Sequence, residues 1–183
     1  MQLNSADGAS VNLRIAGYEY NPHCQAPTLE AVQRLTGGAD IPVMASDWDV
    51  NWLRVRGNIT PAEGAAWAFE DPCLTTWEAR ELGDWLRAVA ARTVPTSPHG
   101  FGLEGGMGFT EPTLSFDLAD RIEDRVRIRA YFTAEAKPPW FQRGQEWYPN
   151  SYLVLVDVSV DDVARAAESW LRDLAAFPVR LLP

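Results

Sequence analysis

The chain has 183 residues, 46% of them hydrophobic and 22% charged, enough for one domain with a core of its own. Its net charge of −9 argues against a direct nucleic-acid binder, which needs a positive footprint to displace counterions from phosphate. The same charge suits a basic protein partner through complementary potential, and it equally serves solubility.

The opening MQLNSADGAS has neither a basic start nor an apolar run, so no secretion signal is expected. No apolar stretch approaches the roughly 18 residues of a membrane span. The expectation is a cytoplasmic protein without membrane contact, its two cysteines, Cys24 and Cys73, reduced.

Taken in order, Val11 to Tyr20 alternates at first, with Val11, Leu13 and Ile15 on one strand face and a bend at Gly17. Residues 21–46 break the pattern with Pro22, Pro27, Pro42 and the Gly37-Gly38 pair, an irregular excursion over the surface. Within it, Thr28 to Leu35 predicts two helical turns, capped by Thr28 and stopped at Gly37. Trp48 to Ile59 returns to strand, with Val50, Trp52, Arg54 and Arg56 on one face. Ala65 to Phe69 is a short strand after a turn at Pro61 and Gly64.

Asp71 to Arg92 carries the clearest helical pattern. At about 100° per residue, Leu74, Trp77, Leu82, Trp85, Leu86 and Val89 share one arc, with Arg80, Asp84 and Arg87 opposite. Asp71-Pro72 reads as a helix-start dipeptide, and Thr75 with Glu78 as a capping box. Glu78 lies mid-way across the apolar arc; capping explains it, and the alternative is a buried functional carboxylate.

Thr93 to Gly108 is a loop rich in glycine and proline. Thr113 to Leu118 and Arg125 to Glu135 alternate as a hairpin whose turn is bracketed by Asp120 and Asp124, the second strand facing Val126, Ile128, Ala130, Phe132 and Ala134 inward until Lys137-Pro138-Pro139-Trp140 ends it. Tyr148 to Val158 is apolar on both sides, which predicts a strand that is central or covered on both faces. Ser159 caps a last helix through Ala176, stopped by Phe177-Pro178. The sum is a single domain over residues 1–183 of α+β class: a mostly antiparallel sheet of about six or seven strands covered by two helices, at about 75–92 and 160–176.

No catalytic constellation emerges. His23 and His99 both sit beside proline in irregular segments, and no Gly-x-Ser-x-Gly elbow occurs. The grouped Cys or His ligands that zinc requires are lacking, so neither metal nor cofactor is expected. Gly100, Gly102 and Gly105 spell G-x-G-x-x-G, but a dinucleotide site needs a strand before and a helix after, whereas a proline-rich loop precedes here.

Four carboxylates stay open as site residues: Asp47, Asp49, Glu78 and Glu111. Asp47 and Asp49, two apart on a strand, would share a face and could help hold a hard cation, or simply solvate a strand start.

Alternation also groups Arg125, Arg127 and Arg129 on one strand face with Tyr131 next along, and Arg54 and Arg56 behind Trp52. In one sheet these would form a solvent-side band. One reading is cross-strand pairing with acids such as Asp117 and Glu70. The other is a partner-binding face of Trp52, Arg54, Arg56, Arg127, Arg129 and Tyr131, because Trp, Tyr and Arg dominate interface hot spots.

An ordered set of signatures resembles the WapI-type immunity protein family: Ser5-Ala6-Asp7-Gly8 with Val11 to Tyr18; Trp48-Asp49-Val50-Asn51-Trp52-Leu53-Arg54-Val55; Asp71-Pro72-Cys73-Leu74-Thr75-Thr76-Trp77-Glu78; Phe109-Thr110-Glu111-Pro112-Thr113-Leu114-Ser115-Phe116; Pro138-Pro139-Trp140; and Phe177-Pro178-Val179-Arg180. The set runs along nearly the whole chain, and the segment from His23 to Ser46 is longer than the family pattern. The resemblance implies a non-catalytic bacterial antitoxin that binds a cognate toxin domain, a basic nuclease; the family's namesake is similar to an inhibitor of a contact-delivered, tRNA-cleaving toxin. It transfers no binding residues. Two other classes remain at this stage: an enzyme or small-ligand protein using carboxylates in a pocket beside the glycine loop, and a structural or assembly module.

Overall fold

A computed structural model describes residues 1–20, 27–38, 48–97, 105–142 and 150–181. Among these residues, eight strands form two four-stranded antiparallel sheets. The first sheet runs β1 (Gln2–Asn4), β2 (Ser10–Tyr18), β3 (Trp52–Thr60), β4 (Trp67–Thr75) in sequence order. The second runs β5 (Met107–Gly108), β6 (Leu114–Ile122), β7 (Arg125–Phe132), β8 (Tyr152–Ser159). The helices are α1 (Leu29–Leu35), α2 (Thr76–Ala90) and α3 (Val160–Leu174). The α+β, antiparallel reading of the sequence holds, with the strands divided between two sheets.

The two sheets share one core. Val11, Leu13, Leu53, Val55 and Ile59 point inward from the first, and Leu114, Phe116, Leu118, Val126, Ile128 and Phe132 from the second. Trp67 bridges them, its ring 5.4 Å from Phe132 and 5.0 Å from Tyr152, while its indole N–H donates to Ala136 O at 2.8 Å. That bond is what allows a polar ring tip in an apolar place. In the first sheet Gly57 pairs with Phe69. A Cβ there would lie 2.0 Å from the Phe69 ring, so only glycine lets that aromatic fold over the strand.

Helices α2 and α3 pack against each other and add to the same core. Trp170 is fully buried and donates its indole N–H to Ala79 O, and Leu171 lies over Gly83. Each helix is capped as its sequence predicts: Ser159 accepts from Asp162 N at 3.1 Å, and Thr75 with Glu78 forms a full capping box. Helix α1 is capped by Thr28, whose hydroxyl accepts from Ala31 N.

Several expectations are corrected. Asp71 and Pro72 do not start a helix; they belong to β4, which runs straight into the Thr75 cap. A proline is tolerated there because β4 is the edge of its sheet and the register slips between Leu53 and Arg54 beside it. Residues 49–51 form a 3-10 turn, so Val50 does not alternate with Trp52. The strand through Phe132 ends earlier than Lys137, because Thr133 leads into a 3-10 turn at Ala134–Ala136; Ala134 is exposed at φ +44°. β8 lies at the edge of its sheet, with Leu155 44% exposed, and its Asp157 amide donates to Ser5 Oγ from the β1–β2 turn at 3.2 Å. Tyr148, and residues 98–104 of the 93–108 loop with Gly100 and Gly102, lie outside the described residues.

Candidate partner-binding surface

The split into two sheets decides the fate of the arginine band. Arg54 and Arg56 stand on β3 and Arg127 and Arg129 on β7, in different sheets, so no single band exists. On the first sheet, Arg56 pairs with Glu70 across the strands, and Arg54 lies 3.7 Å from Glu70 and 3.8 Å from Glu19. The Arg56 hydrogen bond, with Arg54 and Arg14 beyond it, holds the Glu70 carboxyl below its ordinary range. Arg14 stands directly opposite Arg56 in the ladder, so Glu70 offsets a like-charge pair that would otherwise oppose strand pairing. Trp52 is half-buried at the strand's start, its carbonyl accepting from Glu19 N at 2.8 Å.

On the second sheet, Arg129 and Tyr131 turn into the structure. Arg129 Nη1 donates to Asp117 Oδ1 and to Ser97 O, each at 2.7 Å, and the Tyr131 hydroxyl donates to Asp117 Oδ2 at 2.8 Å. Asp117 is wholly buried and Tyr131 only 2% exposed. Arg127 stays exposed and shares Asp157 with Arg125. The expected pairs with Asp117 and Glu70 are therefore present, and they occupy the arginines.

The carboxylates divide just as sharply. Glu78 is 5% exposed and fully used: its Oε2 accepts from Thr75 N at 2.8 Å and Thr75 Oγ1 at 2.7 Å, while Oε1 accepts from Thr110 N at 2.7 Å. The cap thus also fastens the 105–113 segment onto the helix start. Asp49 is exposed on the 3-10 turn rather than on a strand, Glu111 is exposed, and Asp47 lies outside the described residues. β3 begins at Trp52 and does not include Asp49. Among the described residues no three His, Cys, Asp or Glu side chains group to hold a metal ion.

A groove of about 330 Å³ beside the end of the glycine loop is lined by Phe109, Pro112, Leu114, Tyr131 and neighbours, and no carboxylate faces it among the described residues. Cys73 is buried; burial, with Asp71 next, pushes its thiol far up, which makes it an inert core side chain.

One place was not legible as a unit. Beyond the first sheet, the end of β2, the start of β3 and the start of α2 meet around Asn51, which is fully buried. Asn51 Oδ1 accepts from Arg180 N at 2.8 Å, its Nδ2 donates to Arg180 O at 2.7 Å, and its carbonyl accepts from Thr76 Oγ1 at 3.3 Å. The Arg180 guanidinium lies 3.3 Å over the Tyr18 ring, and the Tyr18 hydroxyl donates to Pro178 O. The chain's end therefore clamps the site from the side. On this base Trp48, 37% exposed, packs against Trp77 with ring centroids 5.5 Å apart. Nothing in the local sequence pattern pairs residues so far apart; the only signal was tryptophan in two positions called strand and helix.

No helix among the described residues is long and apolar enough to cross a membrane. Two antiparallel sheets share one core, and arginines on both are paired with acids. The chain matches the model of the Immunity protein WapI-like family over residues 2–178 and belongs to that family. No curated protein and no solved structure shows a significant match. Membership implies a toxin-neutralising role.

Proposed function

We propose that this protein is a non-catalytic immunity protein that acts in the bacterial cytoplasm, neutralising a cognate toxin domain by stoichiometric binding, and that the toxin is a basic nuclease. The observation that carries the reading is the family match over nearly the whole chain. The net charge of −9 supports the nuclease assignment. A nuclease must present positive surface to phosphates, and an acidic protein competes for that surface while being steered to it. The groove by the glycine loop, without a carboxylate on its described walls, lends no support to acid–base chemistry there.

Co-expression tests this. Cells that produce the toxin domain encoded beside this protein are expected to stop growing alone and to grow normally when the protein is also made. Equal growth arrest with and without it would overturn the proposal.

A further inference from the structure

An immunity protein must hold its partner through some face, and Arg54, Arg56, Arg125, Arg127 and Arg129 are already engaged by acids of this chain. The exposed aromatic side chains are few, and two of them, Tyr20 at 53% and Trp48 at 37%, flank the same end of the first sheet. Tyr20 follows Glu19, whose amide is bound to Trp52 O; Trp48 rests on Trp77. Half-exposed tryptophans are the side chains that gain most when a partner covers them. These are also preorganised, because the Asn51–Arg180 clamp holds the turn beneath Trp48 and the capping box holds the turn beneath Trp77. Little ordering cost remains for binding.

The rim is negative. Asp71 of β4 is pushed up by burial first, and the carboxylates of Glu135, Glu111 and Glu19 add to that push; Thr110, next to Glu111, is bound to Glu78 at the start of α2. Arg54 is already shared between Glu19 and Glu70. The other cations on neighbouring segments are Arg180, whose guanidinium lies over the Tyr18 ring, Arg14 and Arg56 beside Glu70, Arg80 on α2 and Lys137 after the 3-10 turn. Asp71 precedes the Thr75 cap by four strand residues, on the order of 13 Å, a span that lies within one interface of about 800 Å² per partner.

We infer that Trp48 and Trp77, with Tyr20 beside them and Glu19, Asp71 and Glu111 as rim, form the surface that docks a basic protein domain. This rests on the immunity reading above: the aromatics supply the desolvated centre, and the carboxylates face the partner's lysines and arginines.

The test uses the full chain and the toxin domain encoded beside it. Trp48→Ala and Glu111→Lys alter exposed side chains, and circular dichroism checks their folding; Ile122→Ala, exposed at the β6–β7 turn, is the control. The expected result is at least tenfold weaker binding for each of the first two, unchanged binding for the control, and slowed amide exchange of the unmodified protein at residues 48–53 and 72–78 in the complex. Tight binding by the unmodified protein, with both variants equal to it and protection elsewhere, would overturn this surface and leave the immunity reading standing. No binding by the unmodified protein would overturn both.

Discussion

Asp117 and Asp71 show how differently two carboxylates can sit in one fold. Asp117, wholly buried, faces Arg129 at 2.7 Å and the Tyr131 hydroxyl at 2.8 Å, and Arg129 is itself only 14% exposed. Breaking such a pair from one side is costly, because the other charge was desolvated for it. Asp117→Ala is expected to lower unfolding free energy by about 3–5 kcal/mol, read from urea denaturation; a loss within the error of that measurement would contradict the account.

Asp71 is the opposite case. Its folded-state carboxyl is held above the ordinary value of 3.8 by burial first, then by Glu135, Glu111 and Glu19, against a lowering hydrogen bond from Thr113. In the window above 3.8 the folded state binds more protons than the unfolded one, so stability falls as pH rises through the folded value, and the penalty is complete above it. Asp71→Asn should therefore melt higher than the parent at pH 7 and no higher near pH 3. A lower melting temperature at pH 7 would contradict this. That the chain retains a destabilising charge at this spot agrees with a surface selected for binding rather than for stability.

Among the elements, the joint between β4 and α2 was the best and worst read part of the sequence. The capping box was legible because its partners, Thr75 and Glu78, are three residues apart and bond locally. The strand in front of it was not, because Pro72 beside Asp71 looks like a helix start unless one knows that β4 is an edge strand. β8 misled in the other direction. Apolar residues on both faces suggested a central position, yet Leu155 is open to solvent and the edge amide of Asp157 is satisfied by Ser5.

The α2–α3 contact rests on Gly83, which no periodicity argument singles out. A Cβ there would lie 2.4 Å from Leu171 Cδ2. Alanine improves helix propensity by about 1 kcal/mol, whereas overpacking costs about 1–3 kcal/mol. Gly83→Ala is expected to lower the melting temperature by several degrees in a thermal scan, and a rise would show that the helices separate freely.

For the whole molecule, alternation and periodicity located most of the strands and all three helices, since both signals are local. The division into two sheets was hidden. It depends on which strands pair, and β3 with β4 or β6 with β7 is set by register and core shape rather than by any single segment. Because the proposed partner-binding arginines were grouped on the assumption of one sheet, that grouping failed with it. Trp48, Trp77 and Asn51 come together where Asn51 meets Thr76 and the tail at Arg180, 129 residues from Asn51, contacts with no sequence signature.

A net charge of −9 also sets the kinetics. Association with a basic domain should be steered, its rate falling by about tenfold or more from low to high salt in stopped-flow mixing.

The central claim is stoichiometric inhibition without catalysis, and titration of toxin activity tests it most directly. RNA cleavage by the toxin domain encoded beside this protein is measured while the protein is added in rising amounts. Activity should fall linearly and vanish at one molecule per toxin. Cleavage that continues unchanged beyond that ratio, or that is abolished by a small fraction of an equivalent, would contradict the account.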